Sequence, residues 1–258
     1  MTEKYNRILQ GVMAVILLVS MFIVAREGAI YVNSVQIKEK EKLCVVIDAG
    51  HGGSDPGKVG INDQLEKDIN LKIAQLLKQF LQAEGIEVVM TRQTDAGLYD
   101  ENASNKKVQD MKRRLEIIEQ ADPALVVSIH QNSYHEEYVK GAQVFYYTTG
   151  AKSRQLAQVL QERLRKLAPD NTREAKGNDS YFLLKKTSKP IVIVECGFLS
   201  NREEAEKLSS PLYQEKLAWN IHMGIMMYLN TCDSAMEKAE NVQTEKVSNT
   251  AVAENNVW

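Results

Sequence analysis

Three residues able to bind a metal or move a proton each stand just beyond an apolar run: His51 in LCVVIDAGHGG, His130 in LVVSIHQN and Glu195 in IVIVECGF. Neutral imidazoles and a carboxylate suit zinc, and a hydrolytic zinc site keeps three protein ligands with a fourth position open to water. His51 and His130 supply two. The third is predicted in Glu66 of LEKDIN, at the start of the helix that follows the His51 loop. Asp68 is its rival, although as a helix cap it would be occupied by backbone N–H groups. Glu195 follows four β-branched residues and is read either as half of a buried ion pair or as a carboxylate facing a metal-activated water, because carboxylates are almost never buried alone. Taken singly, each histidine also fits a hydrogen-bonded structural residue at a strand end; the shared placement favours a site. His135 lies in a polar loop and His222 on a helix without a matched partner, so both are read as structural or exposed.

These side chains converge only if their strands run parallel, since the crevice of an open α/β sheet lies beyond the carboxyl ends of its strands. Val45, Val46 and Ile47 form a β-branched run of the kind covered on both faces, and a glycine-rich turn follows it. Ile69, Ile73, Leu76, Leu77, Phe80 and Leu81 keep helical spacing up to Gly85, and Ile86–Thr91 reads as the next strand. Val108, Met111, Leu115 and Ile118 give a second helix that Pro123 closes ahead of the strand Leu125–Ile129. The order βαβαβ implies right-handed crossovers in a parallel sheet. Gly141–Tyr147 reads as a further strand, Leu156 to Leu167 as a helix and Asn171–Asp179 as a polar loop. Ser200 to Glu203 has capping-box spacing, and Pro211 can start a last helix. The expected class is therefore α/β: a single three-layer domain with a mostly parallel central sheet and helices on both faces.

Around this domain, over 43–230, the chain carries two other kinds of segment. Ile8–Ala25 is 18 residues with Gln10 as its strongly polar member. At ~1.5 Å per residue it spans roughly 27 Å, close to a hydrocarbon core of ~30 Å. Lys4 and Arg7 precede it and Arg26 and Glu27 follow without a small-residue cleavage pattern, so 1–26 is expected to be an uncleaved membrane anchor, with a cleaved signal peptide as the alternative. Either reading places the domain outside the cytoplasm. A stem covers 27–42. The tail 231–258 is polar and too poor in large apolar groups to repay ordering, so it is expected to be disordered.

A net charge of -2 gives no basic field, which argues against nucleic-acid partners. Gly52–Val59 fits the phosphate-loop pattern up to Lys58, but Val59 stands where a hydroxyl should hold magnesium, Asp55 is negative and Pro56 lacks an N–H. Three cysteines without CxxC spacing argue against a thiolate zinc site or a disulfide framework; Cys196 should point away from the face that Glu195 serves.

Taken together, IDAGHGG, LEKDINLKIA, the TR at Arg92, SIHQN and VECGFLSN resemble, in order, the motifs of the zinc-dependent N-acetylmuramoyl-L-alanine amidases of the bacterial wall. The resemblance implies zinc on His51, Glu66 and His130, Glu195 as the catalytic residue, and a substrate of peptidoglycan glycan strands bearing stem peptides. GAQVFYY, NTREAK and YFLLKKTSKP further resemble the sporulation and germination branch, which acts on spore cortex on the way to muramic lactam. No wall-binding repeat accompanies the catalytic part, which suits an enzyme placed by its own anchor; an accessory protein is left open. Two rival readings stay open on the sequence: a catalytically silent wall-binding or regulatory module, and a zinc peptidase cutting within stem peptides.

Overall fold

A computed structural model describes residues 2–35 and 43–231. The chain divides into two compact units, 1–42 and 43–258. In the first, α1 (Thr2–Val35) contains the apolar stretch Tyr5–Arg26, 22 residues of mean hydropathy 2.6. None of this stretch is buried, and Leu17 and Phe22 expose 61% and 70% of their surface. A helix apolar on every side is suited to lipid. The helix also runs nine residues beyond the expected anchor end at Arg26, so the predicted stem begins as helix. The rest of the stem, 36–42, and the tail beyond Thr231 fall outside the described residues.

The second unit runs β1 (Cys44–Ala49), α2 (Glu66–Ala83), β2 (Glu87–Met90), α3 (Lys106–Ala121), β3 (Leu125–Asn132), β4 (Gln143–Tyr146), α4 (Ala151–Leu167), β5 (Lys176–Gly177), α5 (Phe182–Lys186), β6 (Ile191–Phe198), α6 (Arg202–Ser209) and α7 (211–231). Its six strands lie in the order β2-β1-β3-β6-β4-β5. The pairs β1–β2, β1–β3 and β3–β6 are parallel, as the apolar strands predict. β4 runs antiparallel to β6 and is shorter than the sequence suggests, beginning at Gln143 rather than Gly141, where φ is +103°.

Alternation along the strands splits the core into two layers. Val45, Ile47, Val127, Val192 and Val194 pack under α2, α4 and α7, whereas Val46, Val126, Ile191 and Ile193 pack under α3 and α5. Cys196 is buried in the first layer, and Glu195, one residue before it, serves the opposite face, as expected. Three local expectations need correction. The N-cap of α2 is Leu65, without a side-chain bond, so Asp68 caps nothing. The N-cap of α6 is Asn201 rather than Ser200: its side chain accepts from Glu204 N at 2.9 Å. Within the polar loop 171–179, Lys176–Gly177 joins the sheet as β5, too short to leave a periodic trace.

Candidate metal centre

β1 delivers the chain into the loop that carries His51, whose φ of +62° is left-handed and uncommon for a side chain other than glycine. Two arginines hold that loop by its carbonyls. Arg92 Nε and Nη2 donate to Ala49 O and Gly50 O at 2.9 and 3.0 Å, and Arg114 Nη1 and Nη2 donate to Ala49 O and His51 O at 2.8 and 2.6 Å. Arg114 is buried and pairs with Asp48 of β1 at 2.6 Å and Asp110 at 2.5 Å; Asp48 also accepts from Thr91 and Ser128. The bend is thus fixed by a paired ionic network beneath it.

On that frame His51, Glu66 and His130 meet, with one potential ligand atom from each lying within 4.8 Å of the others. Glu66 Oε1 stands 3.2 Å from His51 Nε2 and 3.0 Å from His130 Nδ1. Glu66 is itself anchored: Lys58 N donates to Oε2 at 2.8 Å and Gln131 N to Oε1 at 3.1 Å. Behind His51, the Asp55 carboxylate lies 2.9 Å from Nδ1, which leaves Nε2 directed at the group; a carboxylate behind a ligating imidazole is the usual way to fix its ring. Gly50 is required by proximity, since a Cβ there would sit 2.2–2.7 Å from the His130 ring. Two nitrogens and one carboxylate, converging on one point with His51 backed by Asp55 and Glu66 by Lys58 N, fit a divalent metal.

The electrostatics follow from this crowding. Burial opposes charge on Glu66, yet hydrogen bonds from His130 and His51 hold its carboxyl far below the usual range. Burial alone would lower the His51 pKa, but Glu66 and then Asp55 raise it. Glu195 behaves oppositely. It pairs with His130 across β3 and β6, is 7% exposed, and burial raises its pKa. Its Oε2 has no hydrogen-bond partner. Glu195, the three grouped residues and Tyr181 line one cavity of about 660 Å³.

The four residues singled out by sequence are therefore brought together, and the rivals are not. Asp68 lies outside the group, as does His135, which is exposed and stacked on Tyr134. His222 is buried between Phe80 and Trp219, a structural place. Sequence reasoning passed over Asp55, Asp48, Arg114 and Tyr181. Three left a trace: Asp55 is four residues from His51, Asp48 interrupts an apolar strand, and Arg114 falls on the apolar face set by Met111 and Ile118. Tyr181 left none.

The sequence model of the Amidase_3 family, N-acetylmuramoyl-L-alanine amidase, matches residues 45–227. The chain is 38% identical over 187 residues to the germination-specific N-acetylmuramoyl-L-alanine amidase of Bacillus subtilis, covering 71% of this chain and 78% of that protein. Among solved structures it is similar to the CwlD amidase of Clostridioides difficile, determined in complex with the GerS lipoprotein, at TM-score 0.71 and 39% identity. That match covers 73% of this chain and 99% of the other. The amidase AmiC2 of Nostoc punctiforme is similar at TM-score 0.65 and 33% identity, over 73% of this chain and 98% of its own.

Proposed function

Because the chain belongs to the Amidase_3 family of N-acetylmuramoyl-L-alanine amidases, we propose that His51, Glu66 and His130 together hold one zinc ion and that Glu195 is the proton carrier of the hydrolysis. The bond cut is the amide between the lactyl group of N-acetylmuramic acid and L-alanine, so the glycan strand loses its stem peptide. The observation that carries the site assignment is the convergence of three ligand-type atoms within 4.8 Å, with a buried carboxylate beside them on the neighbouring strand.

Zinc held by His51, Glu66 and His130 would supply Lewis acidity, polarising the lactyl carbonyl and lowering the pKa of a water to about 7. The protein's own part is positional and protolytic. Glu195, buried and raised in pKa, takes a proton from the attacking water and delivers it to the leaving nitrogen of L-alanine, which departs as a neutral amine. Asp55 holds the His51 ring in one orientation, and the Lys58 and Gln131 amides hold Glu66 in place. Closed in at 7% exposure, Glu195 is shielded from bulk water, so its proton affinity is set by the site.

Likeness to a germination-specific relative supports spore-type peptidoglycan as the wall and the path to muramic lactam as the purpose. The apolar helix Tyr5–Arg26 supports action outside the cytoplasm from a membrane anchor, or after export on a cleaved signal. The similar Clostridioides difficile enzyme was solved with a lipoprotein, which supports an accessory partner for this chain as well.

The test is digestion of spore-type and vegetative peptidoglycan by zinc-loaded protein, with products read by mass spectrometry. Free L-alanine amines and bare lactyl groups are expected. Cleavage only between stem amino acids would assign a peptidase instead, and no cleavage of either wall would leave a silent wall-binding module. His51→Ala and Glu66→Ala should each lose the stoichiometric zinc measured in the parent; full occupancy in both would sink the ligand set.

A further inference from the structure

The segment YFLLKK enters the cavity wall without a role in the hydrolysis described above. Its first residue, Tyr181, is placed from three directions. Asn178 N donates to Tyr146 O at 2.8 Å, tying the segment to the end of β4. The Asn178 side-chain oxygen then accepts from Ser180 N at 2.8 Å and Tyr181 N at 3.0 Å, closing a tight turn just before α5. The Tyr181 ring stands edge-on to Phe145, with centroids 5.7 Å apart and planes at 79°. Phe145 belongs to the strand whose Gln143 is the register partner of Glu195, and it faces the same side of the sheet. The tyrosine is therefore held diagonally across β4 from Glu195, and both line the cavity.

The Glu195 carboxylate on that cavity wall keeps a buried Oε2 with no hydrogen-bond partner, an acceptor open to a donor from the Tyr181 side. Burial first, and then the nearby Glu195 charge, push the phenol up to about 12, so at neutral pH it keeps a proton that it can donate. A carboxylate that must accept a proton from water and release it to nitrogen needs one oxygen tethered and the other available. A fixed neutral donor provides the tether without adding charge.

From this geometry we infer that Tyr181 is a positioning residue for Glu195: its hydroxyl donates to the carboxylate and fixes the rotamer from which the proton is moved. The inference rests on the reading of Glu195 as proton carrier. It assigns Tyr181 no contact with zinc and no proton transfer of its own.

Tyr181→Phe removes the hydroxyl and leaves the ring on Phe145, so melting temperature and zinc stoichiometry should match the parent. Its kcat should fall by roughly 10-fold with KM within about twofold, the pattern of an interaction that matters in the transition state and not in substrate binding. The deciding measurement is the double variant under single-turnover conditions. Glu195→Gln alone should lose on the order of 10²- to 10⁴-fold. Adding Tyr181→Phe to it should cost less than about twofold more, since a residue acting through Glu195 has nothing left to position. A Tyr181→Phe enzyme with parental kcat beside a crippled Glu195→Gln overturns this inference and leaves the proton carrier standing. Fully multiplicative losses, or a loss carried by KM alone, also overturn it. Near-parental turnover by Glu195→Gln removes the proton-carrier reading, and this inference with it.

Discussion

Arg114 is the place where stability and metal binding should come apart under one substitution. Its guanidinium neutralises Asp48, which is 1% exposed, and its Nη2 is the donor to His51 O. Arg114→Met removes the charge while filling much of the volume. Asp48 keeps Thr91 and Ser128 but becomes a buried carboxylate without its paired cation, a loss of about 3–5 kcal/mol. Ala49 O still accepts from Arg92 Nε, whereas His51 O loses its guanidinium, adding about 1 kcal/mol. A loss of roughly 4–6 kcal/mol lowers the melting temperature by roughly 8–24 °C in a domain of this size. Relaxation of the left-handed His51 should separately weaken zinc binding about 10- to 100-fold, as expected when support behind a ligand is removed. Urea titration followed by circular dichroism measures the first effect, and competition with a chromophoric chelator the second. The control is Asp48→Asn combined with Arg114→Met, which removes the stranded charge: it should regain much of the stability but little of the zinc affinity. If Arg114→Met costs less than about 1 kcal/mol, or if zinc affinity returns with stability in the double variant, the division of labour described for this residue is wrong.

Three further outcomes follow from the same geometry. Burial would raise the Asp48 pKa, but Arg114, Ser128 and Thr91 bring it to about 2. A folded-state value below the unfolded one contributes stability that is present above about pH 4 and lost as pH falls toward 2, so the urea midpoint should drop across that window and drop less in the Asp48→Asn, Arg114→Met double variant. Gly50→Ala, whose Cβ would stand 2.2–2.7 Å from the His130 ring, should abolish stoichiometric zinc while far-ultraviolet circular dichroism stays parental; retained zinc would show that the ring can yield. The full chain should sediment with membranes through Tyr5–Arg26 and keep its own N-terminus, and a mature protein starting beyond Arg26 on N-terminal sequencing would replace the anchor by a cleaved signal.

Much of the site was legible because its residues stand in or just past the C-terminal halves of strands that open with apolar runs. A β-branched run buried on both faces has a single direction in which to deliver the next polar residue, and His51, His130 and Glu195 were delivered there. The direction of β4 was not legible, because a period of two is the same whether a strand runs parallel or antiparallel to its neighbour. Arg114 was missed for a different reason. Arginine is ordinarily solvated, and its burial here depends on Asp48, 66 residues away in the chain, together with Asp110 on its own helix. The cap of α6 shifted by one residue because Ser200 and Asn201 both carry capping side chains, and composition alone does not choose between neighbours. Tyr181 depends on a turn closed by Asn178 and on a five-residue helix, lengths at which no periodic signal exists.

His130 and Glu195 stand on β3 and β6, and His51 directly follows β1, so the cluster belongs to interior strands of the six. Sheets fray from their margins, where β2 and β5 lie, and a local opening there leaves the inner ladder closed. On the proposed location outside the cytoplasm this arrangement favours durability: a protease that nicks a margin or a surface loop leaves the inner ladder, with Gln131 N held on Glu66, closed. Working lifetime would then be set by the unfolding of the domain as a whole rather than by the breathing of its rim.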